Sequence, residues 1–139
     1  MADNKMIERI YIEWDKALSN NDADALLALY SDDAVLESPV VTHLTGNNSG
    51  EIKGKKALYA LFKEVAARKP EVRKYYRNGY LSDGHLLVFE YPRNNPEGEQ
   101  MDFMEVMEIN NEGLIEKHRV YWGWYGLGIL SNDQYHRNK

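Results

Sequence analysis

The chain has 139 residues, which is enough for one hydrophobic core and too short for two domains of ordinary size. Its formal net charge of −5 argues against nucleic acid or an anionic membrane as a main partner, because neither attracts a negatively charged surface. The absence of cysteine excludes disulfides and thiolate metal sites, and without a signal-like or membrane-spanning apolar run we expect a cytoplasmic protein.

The first half of the chain has the hydrophobic periodicity of helices. A first helix is predicted from apolar residues at helical spacing, which are Ile7, Ile10, Tyr11, Trp14 and Leu18. Asn21 or Asp22 can cap a second, shorter helix that runs to Tyr30. A third helix is predicted over residues 55–69, where apolar side chains share one face, and it must end before Pro70.

The segments between these helices are short or polar. The SDDA sequence at 31–34 predicts a turn, and AVLES at 34–38 predicts a brief strand that Pro39 stops. Residues 40–54 are rich in Gly, Asn, Ser and Thr and predict a mobile loop that ends at Gly54.

After Pro70 the pattern changes to the alternation of strands. Four β-branched or aromatic runs are predicted as strands, at 72–81, 85–91, 100–109 and 114–124. The turn sequences SDG, RNNPEGE and NNEG separate them, so consecutive strands should pair as an antiparallel meander. The polar residues 126–139 are expected to form a loosely held tail.

Helices followed by a long meander indicate one α+β domain over residues 1–139. Each of the three N-terminal helices has one apolar stripe, so together they should cover one face of a curved antiparallel sheet. A sheet that curves around helices leaves a conical cavity, which is a natural site for a small molecule.

The last hairpin brings an acid and an imidazole into an aromatic wall. With Gly113 in the left-handed position of the NNEG turn, Glu105 falls opposite His118 and both point inward. The inward face also carries apolar side chains, which are Phe103, Met107, Val120, Trp122 and Trp124. The other face is more charged and is expected outside; it carries Met104, Val106, Glu108, Glu116, Arg119 and Tyr121.

An inward pair of Glu105 and His118 has two interpretations that the residues alone leave open. Burial of such groups costs several kcal/mol unless something satisfies them. The two side chains can satisfy each other and fix the strand register, which is a structural role. Alternatively, they form a general acid–base pair that exchanges protons with a bound molecule.

Three segments in this order and spacing resemble the nuclear transport factor two-like superfamily. They are EWDKALSNNDADALLALYSDDAVLESP, GKKALYALF and MEVMEINNEGLIEKHRVYWGW. The similarity covers about residues 6–124, and within the superfamily the SnoaL-like polyketide cyclases and the ketosteroid isomerases are most similar. The resemblance implies a cone of three helices on a curved antiparallel sheet, with cystatin-like topology, and a homodimer.

The isomerases' functional positions match this chain only in part. Their base, an Asp before the Pro of the first short strand, corresponds to Ser38, and their oxyanion-donating Tyr corresponds to Trp14. Their protonated Asp on the penultimate strand corresponds to Glu105, while pocket positions on the last strand correspond to His118 and Trp122. The missing base and the replaced Tyr argue against steroid isomerisation. An Asp–Arg–Asp set like that of epoxide hydrolases with a similar fold is not expected either.

The resemblance therefore implies acid–base chemistry, without a cofactor, on a small, flat, apolar substrate. Glu105 and His118 would be the polar centre, with His118 moving a proton and Glu105 either orienting it or donating to a developing oxyanion, depending on its protonation state. The pocket would be lined by Trp14, Ser38, Phe62, Phe103, Met107, Val120 and Trp122. The alternative is a non-catalytic ligand-binding or regulatory module of the same fold, or a dimeric scaffold.

Other candidate residues have weaker patterns. His43 and His85 are expected to be solvated, and no cluster has convincing metal-ligand spacing, so no metal site is predicted. The outer sheet face is a candidate dimer interface because it combines aromatic and arginine side chains. Its expected members are Tyr75, Arg77, Arg119 and Tyr121.

Overall fold

The computed structural model describes residues 1–68, 76–95 and 97–134. The predicted α+β class is confirmed, with helices packed on a six-stranded sheet. The helices are α1 (Asn4–Ser19), α2 (Ala23–Leu27), α3 (Pro39–Thr45), α4 (Lys55–Ala67) and α5 (Gly126–Ser131). The strands are β1 (Tyr30–Glu37), β2 (Glu51–Lys53), β3 (Leu81–Ser82), β4 (Leu86–Tyr91), β5 (Phe103–Ile109) and β6 (Ile115–Trp122).

Local sequence explains where the first two helices begin. The carboxylate of Asp3 accepts a hydrogen bond of 2.8 Å from the Met6 amide at the start of α1. Asp22 caps α2 in the same way by accepting a 3.0 Å hydrogen bond from the Ala25 amide, as predicted. The apolar stripe of α1 is buried, and its buried members are Ile7, Ile10, Trp14 and Ala17.

The strands lie in the order β2-β1-β6-β5-β4-β3. The first strand of the chain, β1, is therefore next to the last, β6, inside the sheet. β1 runs parallel to β6, whereas the other neighbouring pairs are antiparallel. The sheet is therefore mixed, and the predicted purely antiparallel arrangement is wrong for this one pair. A parallel pair requires a long crossover connection, and residues 38–114 provide it.

The segment between α2 and α4 is more ordered than predicted. Tyr30 opens β1 instead of ending α2, and residues 31–34 continue that strand rather than forming a turn. Residues 40–54, predicted as a mobile loop, contain most of α3 and all of β2. Ser38 caps α3 with its side-chain oxygen, and Pro39 occupies the first helical turn, where its missing N–H costs nothing.

The second half of the chain follows the prediction more closely. β4, β5 and β6 confirm three of the four predicted strands. Within the predicted strand at 72–81, residues 72–75 lie outside the described residues, 76–80 are irregular, and β3 forms at the end. The tail contains α5, none of whose residues is buried.

The core lies between the helices and the inner face of the sheet. Leu87, Phe89 and Met107 project from β4 and β5 toward this core and are at most 3% exposed. The alternation of buried and accessible residues along β4 shows that one face of this strand is inside. Over the described ranges, no helix has the length and apolar character needed to span a bilayer.

Candidate functional site

The β5–β6 hairpin places the acid and the imidazole on the inner face, in a register different from the predicted one. Met107 lies opposite His118, and Glu105 lies opposite Val120, so the prediction that Glu105 faces His118 directly is wrong. The pairing shifts at an irregularity between Glu108 and Ile109, which the turn sequence does not reveal. The error is two residues, and an even shift leaves Glu105 and His118 on the same, inner face, as predicted.

Glu105 and His118 belong to a chain of five hydrogen-bonded side chains, which we call the buried polar chain. His118 Nε2 lies 2.7 Å from Glu105 Oε1, and its other ring nitrogen, Nδ1, lies 2.8 Å from the Tyr30 hydroxyl. The Tyr91 hydroxyl donates a 2.7 Å hydrogen bond to Glu105 Oε2. At the far end, the Trp14 indole is hydrogen-bonded to the Tyr30 hydroxyl.

One arrangement of protons satisfies every member of the buried polar chain. The Trp14 N–H donates to the Tyr30 oxygen, and the Tyr30 O–H donates to the Nδ1 of a neutral His118. The Nε2–H of His118 then donates to the Glu105 carboxylate, which also accepts from Tyr91. The donors on both sides of Glu105 point toward it, so the chain delivers its polarity to that carboxylate.

The buried polar chain is removed from solvent. Glu105 is 2% exposed, His118 3% and Tyr30 1%, so the carboxylate is held in a medium of low dielectric constant. Burial raises the pKa of Tyr30 well above its usual value, and the nearby charge of Glu105 adds to the effect. The hydrogen bond from Trp14 opposes this change. Tyr30 therefore stays protonated and remains a donor to His118 at neutral pH.

Aromatic and apolar side chains surround the polar atoms unevenly. Phe62 packs on the Tyr30 ring with their centroids 5.2 Å apart, at the closed end next to the helices. Phe103 stacks on Trp122 at 4.8 Å, at the opposite end of the chain. Val120 and Trp122 are only partly buried, so Glu105 lies beside the more accessible end of this inner face.

A small cavity lies among the helices, and no described residue of the sheet lines it. A cavity of about 10 Å³ lies between α1, α2 and α4, and Phe62 is the predicted pocket residue that lines it. This volume holds roughly one water molecule, whereas a pocket for a drug-sized ligand needs about 300 Å³ or more. Ser38 is buried and caps α3, so its hydroxyl already has a structural partner.

The sequence pattern of the SnoaL-like domain matches residues 11–118, which is more than half of the chain. The chain belongs to the SnoaL-like family. This family assignment confirms the resemblance described above. No curated protein is detectably similar to this SnoaL-like chain in sequence.

Solved structures share its fold at low sequence identity. A SnoaL-like protein of unknown function from Burkholderia thailandensis is 21% identical over 87% of this chain and 97% of its own, with a TM-score of 0.72. SalBIII, an epoxide hydrolase/cyclase-like enzyme in pyran ring formation in the polyether salinomycin, is 19% identical over 90% and 96%, with a TM-score of 0.66. An NTF2-like protein from Anabaena variabilis is 16% identical over 86% and 87%, with a TM-score of 0.68.

Two members of the buried polar chain were missed by reasoning from the sequence. Tyr91 could have been found, because the alternation of the predicted strand 85–91 places it on the same face as Leu87 and Phe89. Tyr30 could not, because the sequence placed it on a helix, whereas it opens β1 beside β6. The two tyrosines supply the hydroxyls at either side of the predicted pair.

Two aromatic or basic residues lie elsewhere than predicted. Trp124, expected on the inner face, follows the end of β6 and is 47% exposed, because its backbone N–H bonds to the Met101 carbonyl outside the strand ladder. Arg77, expected on the outer face, stacks its guanidinium 3.7 Å from the centroid of the Tyr11 ring on α1. Tyr75 lies outside the described residues.

The outer face otherwise contains the predicted side chains. Arg119 lies opposite Val106 and donates a 2.5 Å hydrogen bond to Glu108, so it is turned away from Glu105. His43 is exposed, but on α3 rather than in a loop. The side chain of His85 is 47% exposed, as expected.

Proposed function

We propose that this SnoaL-like protein binds a small apolar molecule at the inner face of its sheet and that Glu105 acts on it as a general base, without a cofactor. The observation that carries the proposal is the buried carboxylate of Glu105, held by donors from His118 and Tyr91. A carboxylate that is 2% exposed is expensive to maintain, and such groups are concentrated at functional sites.

The contacts favour Glu105 over His118 as the group that exchanges a proton with the ligand. Both ring nitrogens of His118 are already bonded, one to Tyr30 and one to Glu105. An ionised carboxylate has about four lone-pair sites, and the described hydrogen bonds use two of them. Glu105 can therefore accept a proton while His118 keeps it oriented, which reverses the roles expected from the sequence.

The ligand would enter from the end of the sheet where Val120 and Trp122 are partly buried. Val120 is the direct cross-strand neighbour of Glu105, and Phe103 stacks on Trp122 next to it. Within the described residues, the buried Nε1–H of Trp122 has no hydrogen-bond acceptor. An oxygen atom of a flat, apolar ligand would satisfy this donor while the ring system packs on Phe103. Entry requires side-chain rearrangement, since Glu105 is enclosed.

The relatives are consistent with this class of chemistry. SalBIII, which has the same fold, is an epoxide hydrolase/cyclase-like enzyme of pyran ring formation. Opening an epoxide and closing a ring both require proton transfer, which a carboxylate in an apolar site can perform. The proposal for this chain is accordingly proton transfer that promotes isomerisation, cyclisation or elimination in a small hydrophobic substrate.

A general-base probe tests the proposal without knowledge of the natural substrate. 5-Nitrobenzisoxazole is flat and apolar; removal of its C3 proton breaks the N–O bond and releases a coloured nitrophenolate. The wild-type protein should accelerate this elimination over buffer, and Glu105→Gln should lose about 100-fold or more of that rate, as removal of a general base does. Glu90→Gln, an exposed carboxylate on β4, is the matched control and should retain the rate.

A second candidate, a non-catalytic binding module, is favoured by a different observation. The four side chains from Tyr30 to Tyr91 in the buried polar chain already bond to one another in sequence, as in a purely structural network. In that case the wild type and Glu105→Gln would show equal elimination rates. Both would still bind 1-aminoanthracene, a flat apolar fluorophore, whereas Trp122→Ala would bind it more weakly. Equal rates therefore refute the enzyme and leave the module.

We also propose that the protein is a homodimer associated through the outer face of the sheet. Met104 and Tyr121 are direct cross-strand neighbours on this face, and they are 37% and 46% exposed. Adjacent exposed apolar side chains beside Arg119 have the composition of an interface core. Light scattering coupled to gel filtration should give a dimer mass for the wild type and a monomer mass for Tyr121→Glu. A monomeric wild type would refute the dimer.

A further inference from the structure

A group of three potential metal ligands lies at one end of the sheet, away from the buried polar chain. His85 precedes β4, Glu108 lies near the end of β5, and Glu116 lies near the start of β6. Antiparallel pairing of β4 with β5 and of β5 with β6 brings these three positions to the same end of the sheet. One ligand atom from each of them lies within 4.8 Å of the other two.

The hydrogen bond of His85 to the backbone orients its ring so that Nε2 can bind a cation. Its Nδ1 lies 3.2 Å from the carbonyl oxygen of Ile109, and only a protonated Nδ1 can donate to that acceptor. This tautomer leaves the lone pair on Nε2, which lies 3.4 Å from Glu108 Oε1. A backbone carbonyl bonded to the second ring nitrogen is the usual support of a metal-binding histidine, because it fixes the tautomer and the ring orientation.

The charges near the site favour the binding of a cation with moderate affinity. Two carboxylates supply two negative charges, and Arg119 offsets one of them through its hydrogen bond to Glu108 Oε2. The other oxygen, Oε1, lies 3.4 Å from His85 Nε2, and a cation would bind between these two atoms in place of their direct contact. Lys117 lies directly opposite Glu108 and further limits the affinity. His85 and Glu116 are exposed, so both can adjust by the ångström or two that coordination requires.

We infer that His85, Glu108 and Glu116 form a surface site for a divalent transition-metal ion such as Zn²⁺. One imidazole nitrogen and two carboxylate oxygens are a donor set that suits Zn²⁺, Co²⁺ or Ni²⁺ better than Mg²⁺ or Ca²⁺, which prefer oxygen alone. Three protein ligands leave one tetrahedral position for water. The site needs neither Glu105 nor a ligand on the inner face, so it is independent of the proposed function.

Titration calorimetry with ZnCl₂ tests the site on the full chain without an affinity tag. The wild type should bind one Zn²⁺ per chain, and His85→Ala and Glu116→Gln should each weaken binding by at least about tenfold. His43→Ala and Glu112→Gln are matched controls, because both residues are exposed and lie outside the cluster, and they should leave the affinity unchanged.

A further variant predicts a gain rather than a loss. Arg119→Met removes the positive charge that occupies one oxygen of Glu108, so it should tighten Zn²⁺ binding. The site is refuted if the wild type shows no saturable binding, or if His85→Ala and His43→Ala reduce binding equally. Unchanged affinity in Glu116→Gln would also refute the three-residue site.

Discussion

Removal of one member of the buried Glu105–His118 pair should cost more stability than removal of both. In His118→Leu, the buried carboxylate keeps Tyr91 but loses the donor that lies 2.7 Å from its other oxygen. Breaking a buried pair in this way costs about 3–5 kcal/mol. The Tyr30 hydroxyl also loses its acceptor, which adds roughly 1 kcal/mol. The expected loss of about 4–6 kcal/mol is a large part of the 5–15 kcal/mol typical of a small domain.

The double variant Glu105→Leu/His118→Leu removes the charge together with its partner. It removes one acceptor from each of two hydroxyls, His118 from that of Tyr30 and Glu105 from that of Tyr91, at roughly 1 kcal/mol each. The double variant should therefore be no less stable than His118→Leu. We expect a coupling energy of at least about 2 kcal/mol between the two positions.

Urea unfolding followed by circular dichroism measures each free energy of unfolding, with equal m-values required for comparison. His43→Leu, at an exposed position, controls for the change of residue type. The reasoning fails if the two single losses add within about 0.5 kcal/mol in the double variant, because additive effects belong to sites that do not interact.

Two further predictions concern Tyr30 and Asp22. Because the pKa of Tyr30 is raised in the folded state, its contribution to stability is complete below the unfolded pKa of about 10 and is lost as the pH rises above it. The free energy of unfolding should therefore decline less steeply above about pH 10 in Tyr30→Phe than in the wild type, by up to roughly 1.4 kcal/mol per pH unit. Urea titrations at several alkaline pH values measure this slope. An unchanged slope would contradict the burial of an un-ionised phenol. Asp22→Ala should cost about 1 kcal/mol through loss of the α2 cap, seen as a lower thermal midpoint, while Asp22→Asn, which can still accept the Ala25 N–H, should lose much less.

The long helices and strands could be predicted from the sequence, and so could the side of each element that faces the core. The stripe of Ile7, Ile10 and Trp14 is strong enough to define α1, and the alternation along β5 and β6 put Glu105 and His118 on the inner face. The register could not be predicted, because the turn sequence does not reveal the irregularity between Glu108 and Ile109.

The local errors have a common physical origin. Short elements are stabilised by contacts that are distant in sequence, so their own residues carry a weak signal. The sequence around Tyr30 predicts the end of a helix. In the structure Tyr30 is the first residue of β1, and it is hydrogen-bonded to His118, 88 residues away. The polar composition of 40–54 likewise hides α3, whose Val41 is fully buried in the core.

The parallel pairing of β1 with β6 has a consequence for biosynthesis. β1 ends at Glu37 and β6 at Trp122, so the central pair of strands can form only after the residues between them have been synthesised. Until then the sheet that covers the apolar stripes of α1 and α4 is incomplete, and transiently exposed apolar surface makes a folding chain prone to aggregate. Such a dominance of distant contacts also makes refolding slow compared with a helical bundle of similar size.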